Sequence, residues 1–212
     1  MNSYWARRIL RHFTLLISAV ILVWIVYTAT PPPDLRHRLS LATAYAALVF
    51  LAVTLALGPW KVFTRRANPI SFDLRRDFGI WAGILALVHT GIGLTVHLRG
   101  RMWMYFFKRL HPLAIQNSEF GAANYIGAVS ALLFVLLLVI SNDLSLRSLG
   151  TRRWKSLQRW TYIAAILAVA HGVLFQLVEK RHISWVVVFA LIIAITSAIQ
   201  FAGYLLRRRL RP

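Results

Sequence analysis

The sequence predicts an all-α integral membrane protein, a bundle of six transmembrane helices with both termini on the cytoplasmic side. Three observations carry this. Hydrophobic residues make up 58% of the 212 residues and charged residues only 15%, whereas a water-facing domain needs about a quarter of its residues charged. Mean hydropathy is +0.62, and the apolar residues come in blocks of about twenty, the length that crosses ~30 Å of hydrocarbon. The 25 Lys and Arg, against 6 Asp and Glu, sit in short stretches between those blocks, the pattern of membrane orientation rather than of a nucleic-acid-binding face. Cysteine is absent, which excludes disulfides, thiolate metal sites and iron–sulfur clusters.

The six spans are 13–30, 39–58, 78–98, 122–141, 160–178 and 183–206. The first follows Arg7, Arg8 and Arg11 and ends at Thr28, Ala29 and Thr30, as a signal peptide does, but its apolar run is long enough to read as a retained helix. The second stops at Pro59. The third opens after Arg75, Arg76 and Asp77, and the last runs into Arg207, Arg208 and Arg209. With the N-terminus inside, the inner segments carry 17 of the basic residues and the outer ones 8, so the charge bias and the even span count place both termini in the cytoplasm. Two connections are long. Segment 59–77 holds an Asn68-Pro69 turn signal. Segment 99–121 mixes Met102, Trp103, Met104, Tyr105, Phe106 and Phe107 with basic residues, which suits either a segment resting among headgroups or a partner-docking surface. No internal repeat or low-complexity tract interrupts the chain, so residues 1–212 read as a single domain.

The chemistry concentrates in seven histidines: His12, His37, His89, His97, His111, His171 and His182. Five lie at span ends or in loops, where an imidazole reaches water. His89 and His171 do not. Each stands eleven residues into a span running from inside to outside, so both lie ~16 Å from the inner boundary. A polar ring at that depth needs a reason. One is structural: a buried imidazole can donate to a carbonyl or hydroxyl of a neighbouring helix. The other is axial ligation of a b-type haem from two helices, which the matched depth favours, with no Asp or Glu nearby to form a proton relay. Gly79, Gly83, Gly91, Gly93, Ala164, Ala165, Ala168 and Gly172 on the same two spans leave room for a flat macrocycle, and serve plain helix packing equally well. Zinc would call for a third or fourth ligand at that depth.

Residues in the second to fifth spans carry a family resemblance. They include Thr43-Ala44-Tyr45-Ala46-Ala47-Leu48 with Thr54-Leu55 and Pro59, then Arg75-Arg76-Asp77-Phe78-Gly79-Ile80-Trp81 leading to His89. Leu149-Gly150, Arg153-Trp154, Leu157 and Tyr162 then lead to His171. The pattern resembles the ferric-reductase-like transmembrane domain family, and within it the haem-binding membrane subunits of periplasmic methionine-sulfoxide reductase systems. Gln158 stands where the family has a first histidine in the fifth span. Arg76 stands thirteen residues before His89, and Leu41 replaces a further family histidine, one helical turn after His37. The expectation is one haem, held by His89 and His171, without a second inner site.

The resemblance implies an electron-transfer subunit of the cell inner membrane. It would take electrons from quinol or a bound flavin and hand them to an outer-face redox partner, a methionine-sulfoxide reductase. These residues contain no glycine-rich phosphate loop for a nicotinamide or flavin domain, so donor and acceptor are expected from elsewhere. Arg99 and His97, with Arg101, Arg181 and His182, are candidate partners for haem propionates or an acidic protein. Tyr162 and Gln176 are candidates for a quinone site, as polar residues in an apolar span. The alternative is an accessory membrane subunit that keeps the fold, with or without its haem, and passes no electrons. A transporter is disfavoured because spans two to five hold no acidic residue and show no pair of broken inverted-repeat helices.

Overall fold

The computed structural model describes residues 3–31, 34–64, 70–108 and 114–209. They form seven α-helices: α1 (Ser3–Ala29), α2 (Leu35–Phe63), α3 (Ile70–Gly93), α4 (Glu119–Ile140), α5 (Asp143–Gln158), α6 (Trp160–Val178) and α7 (Ile183–Arg209), with two 3-10 turns, Leu98–Gly100 and Met102–Tyr105, between α3 and α4. Among the described residues the only extended pairing is an isolated bridge between Phe107 and Ile115. The all-α membrane bundle is therefore as expected. The Asn68-Pro69 turn and His111 lie outside the described residues.

Helix ends follow local chemistry. Asp34 caps α2 by accepting from the His37 amide at 2.6 Å, Ser118 caps α4 through the Gly121 amide at 3.2 Å, and Asn142 caps α5 through the Ser145 amide at 2.7 Å. Each satisfies a backbone donor that the first turn leaves open. Pro59 lies inside α2 rather than ending it.

Five stretches are long and apolar enough to cross a membrane: α1, α2, α4, the α5–α6 run and α7. The third expected span differs. Its charge-free part, 78–93, is ~24 Å long, and the helix stops at Gly93 instead of reaching Leu98. Gly91 and Gly93 weaken the helix there, and Leu98 and Arg99 then adopt φ of 57° and 55°, which reverses the chain. α5 lies in the connection between the fourth and fifth expected spans. It runs as two short helical pieces across Gly150 and is tied back to α4 by Trp154, whose Nε1 donates to the Ile140 carbonyl at 2.8 Å. The aromatic segment after α3 is also less superficial than expected, because Tyr105 is fully buried.

α2 is the central helix, packed against α1, α3 and α7, while α4 bridges α3 and α6. Leu15, Phe50, Leu85, Phe134 and Ala164 share the main apolar core, and Tyr45, Leu41 and Phe189 a second one. Polar links are short and internal, as a bilayer requires. Ser130 donates to the Ala164 carbonyl at 3.0 Å, Tyr45 to the Trp185 carbonyl at 2.6 Å, and Gln200 to the Leu55 carbonyl at 2.6 Å. Asp77, fully buried at the head of the apolar part of α3, meets Arg11 at 2.5 Å and His12 at 3.5 Å, which pins α1 to α3.

Candidate cofactor site

His89 on α3 and His171 on α6 are brought together, with ring centres 6.2 Å apart. Each ring is oriented by a backbone carbonyl of a further helix. His89 Nδ1 lies 2.9 Å from the Ser40 carbonyl of α2, and His171 Nδ1 lies 2.8 Å from the Ala123 carbonyl of α4. A carbonyl only accepts, so both Nδ1 atoms carry hydrogen, and in the neutral ring Nε2 then keeps its lone pair. This is the tautomer that binds a metal through Nε2, with the outer carbonyl fixing the ring. Four helices thus build the pair.

The rings line a cavity of ≈460 Å³, within the ~300–1,000 Å³ of cofactor-sized sites. An imidazole nitrogen sits ~1 Å from its ring centre and binds a transition metal at ~2 Å, so a metal held between two imidazoles sets their centres ~6 Å apart. The observed 6.2 Å matches that requirement. Ala168, Gly172, Ala128 and Gly127 leave the walls low.

Gly127 was not singled out by the sequence. A Cβ there would lie 2.5 Å from His171 Nδ1, closer than any real contact, so α4 must have glycine for the ring to sit where it does. The available signal was a glycine in the middle of an apolar helix. Some of the glycines expected to admit a macrocycle also do packing work. A Cβ on Gly83 would meet Leu138 at 2.9 Å and one on Gly172 would meet Phe189 at 2.7 Å, while Gly91 faces open space.

The sequence offered no carboxylate for this site, and the structure adds one to the cavity wall. Glu179, one residue beyond α6, lines the same cavity. It lies eight residues after His171, and helical spacing places positions i, i+4 and i+8 (His171, Phe175, Glu179) along one face. Around it gather residues from three segments: His97 Nε2 at 2.6 Å, His37 Nε2 at 3.5 Å and Arg181 at 4.0 Å. The His97 hydrogen bond holds the Glu179 carboxyl below the usual carboxylate range, against the burial that pushes it up. Tyr105, whose phenol burial raises above its ordinary value, stays protonated, donates to the Gly93 carbonyl at 3.0 Å and receives the His97 amide at 2.8 Å.

The remaining candidates divide. His97 and Arg181 stand at the cavity wall, whereas Arg99 is exposed in its 3-10 turn and does not line it. Gln176 lines this cavity and donates to the Tyr45 hydroxyl at 3.2 Å. Tyr162 lines a different cavity, together with Gln158, so Tyr162 and Gln176 do not form one site.

Fold and site together define a helical membrane protein with a buried pair of neutral imidazoles facing a cofactor-sized cavity. The chain is related to proteins named "Protein-methionine-sulfoxide reductase heme-binding subunit MsrQ" from Salmonella paratyphi B, Salmonella newport and Salmonella heidelberg, each 30% identical over 146 residues. The match covers 68% of this chain and 65% of the relatives, slightly under two thirds of their length. No family model matches the chain.

Proposed function

We propose that the protein is a haem b-binding membrane subunit of a methionine-sulfoxide reductase system, multi-pass in the cell inner membrane with both termini inside. The observation that carries this reading is the pair of imidazoles 6.2 Å apart, each with Nδ1 tied to a carbonyl. Two ligands suit an iron whose other positions a macrocycle fills, whereas a lone zinc takes three or four protein ligands. The MsrQ relatives, named as heme-binding subunits, support the same assignment.

His89 and His171 would hold the haem iron, and the Ser40 and Ala123 carbonyls set their tautomer and aim. Bound there, the haem would supply a one-electron redox centre. Around it, the apolar walls exclude water, and Glu179, His97 and Arg181 place charge at the cavity's polar end. The subunit takes electrons from quinol or a bound flavin and passes them to an outer-face partner, which for this system is the sulfoxide reductase. Arg99, exposed beyond α3, is then a candidate for meeting that partner.

Haem per chain, with reduced-minus-oxidised spectra, tests the site in purified wild type, His89→Ala and His171→Ala. About one haem in the wild type and loss in both variants is expected from a two-ligand site; wild-type occupancy retained in either variant removes the assignment. The accessory-subunit reading is favoured by one observation: Gln158, in place of a family histidine, donates to the Ser141 hydroxyl at 3.1 Å and completes no second ligand pair. Turnover of a quinol analogue with an outer acceptor separates the two, since an accessory subunit binds haem and reduces nothing.

A further inference from the structure

A second cavity, of ≈510 Å³, opens at the end of the bundle opposite the Glu179 cluster. Its floor includes Leu51 and Phe134, and five cations line it: Arg75 and Arg76 from α3, Lys155 from α5, Arg159 between α5 and α6, and Arg207 from α7. Arg76 is neutralised by Asp143 at 2.6 Å and Asp73 at 3.7 Å. Among the described residues, none of the six carboxylates of the chain forms an ion pair with Arg75, Arg159 or Arg207. Arg207 reaches the Gly58 carbonyl at 3.4 Å, and a Cβ on Gly58 would meet the Arg75 guanidinium at 3.6 Å. Guanidiniums from α3 and α7 therefore converge on one turn of α2.

Like charges lining one cavity repel unless an anion joins them. A rim of guanidiniums above an apolar floor fits one kind of ligand, an anionic head on an apolar tail. Guanidinium forks match phosphate oxygens, and basic pockets between membrane helices take acidic lipid headgroups. We propose that this cavity binds an acidic phospholipid, its phosphate against Arg75, Arg159 and Arg207 and an acyl chain over Leu51 and Phe134. The apolar floor distinguishes this from a site for free phosphate, and the engagement of the Gln158 carboxamide with Ser141 leaves a tetrapyrrole without an axial ligand there. The proposal is independent of the haem assignment.

The test is native mass spectrometry of the full chain in phosphatidylcholine nanodiscs titrated with phosphatidylglycerol, with and without millimolar inorganic phosphate. Wild type is expected to retain phosphatidylglycerol over phosphatidylcholine by about tenfold or more, and inorganic phosphate is expected to leave that preference intact. Arg75→Gln/Arg159→Gln/Arg207→Gln should lose it. Arg147→Gln/Arg152→Gln/Arg153→Gln, which removes equal charge from exposed positions outside the cavity, should keep it. If the triple cavity variant fails to fold, Arg159→Gln alone, at an exposed junction, should show a partial loss. Equal retention of the two lipids, displacement by inorganic phosphate, or equal loss in the control variant would overturn the proposal, the last by reducing the effect to bulk charge.

Discussion

His171 is held in place by a residue without a side chain. The Gly127 position on α4 faces His171 Nδ1 where a Cβ would come within 2.5 Å. Gly127→Ala therefore must turn the imidazole away and break its bond to the Ala123 carbonyl. The helix itself gains from the change, by ~1 kcal/mol of propensity. The expected outcome is a several-fold loss of bound haem without a matching loss of thermal stability, measured by haem spectra and melting on the same preparation. Unchanged haem content would show that α4 yields and that the glycine does not set the ring. At this scale the sequence already pointed to His89 and His171, because imidazoles are costly in hydrocarbon and stand out. Gly127 did not stand out, since a glycine in an apolar helix has several uses and only the facing ring says which applies.

The helices themselves were legible wherever an apolar run exceeded the thickness of a bilayer. Where hydropathy failed, local backbone chemistry had decided. α5 is polar, and its Asn142 cap and buried Trp154 make it a helix that no span-length argument could find. Its two halves meet at Gly150, with φ 69° and ψ 157°, a region open essentially to glycine alone. Gly150→Ala is expected to destabilise the protein by about 1–3 kcal/mol. Gly91→Ala, in a helical position with nothing within 4 Å of the added carbon, should be neutral or stabilising by up to ~1 kcal/mol. Melting of the two detergent-solubilised variants checks the contrast, and an equal shift in both would show that the Gly150 conformation is not enforced by its surroundings.

Across the whole molecule, Glu179 ties α6 to the ends of α2 and α3 through His37 and His97. Its folded pKa is depressed, so its contribution is fully present above the ordinary carboxylate value of ~4.3 and is lost as pH falls through the lower folded value. Glu179→Gln should cost about 1–3 kcal/mol at neutral pH, the worth of a charge-assisted bond. The gap between variant and wild type should close in acid. Melting temperatures at pH 7 and at pH 4 or below test this, and a constant gap would assign the effect to packing. The cluster could not be read from sequence, because His37, His97 and Glu179 lie on segments whose meeting depends on how α3 ends and turns.

Composition and the spacing of apolar runs determined by themselves that this is a helical membrane protein, since backbone polar groups in hydrocarbon must be satisfied within each helix. That His89 and His171 stand at matched heights on their helices also followed from sequence, because helical rise is fixed per residue. Tertiary structure alone decided that the two ring centres lie 6.2 Å apart, that carbonyls from α2 and α4 choose their tautomers, and that the charged cluster shares their cavity. Those facts depend on the rotation of each helix about its axis. Close packing between neighbours sets that rotation, and hydropathy along a single helix does not encode it.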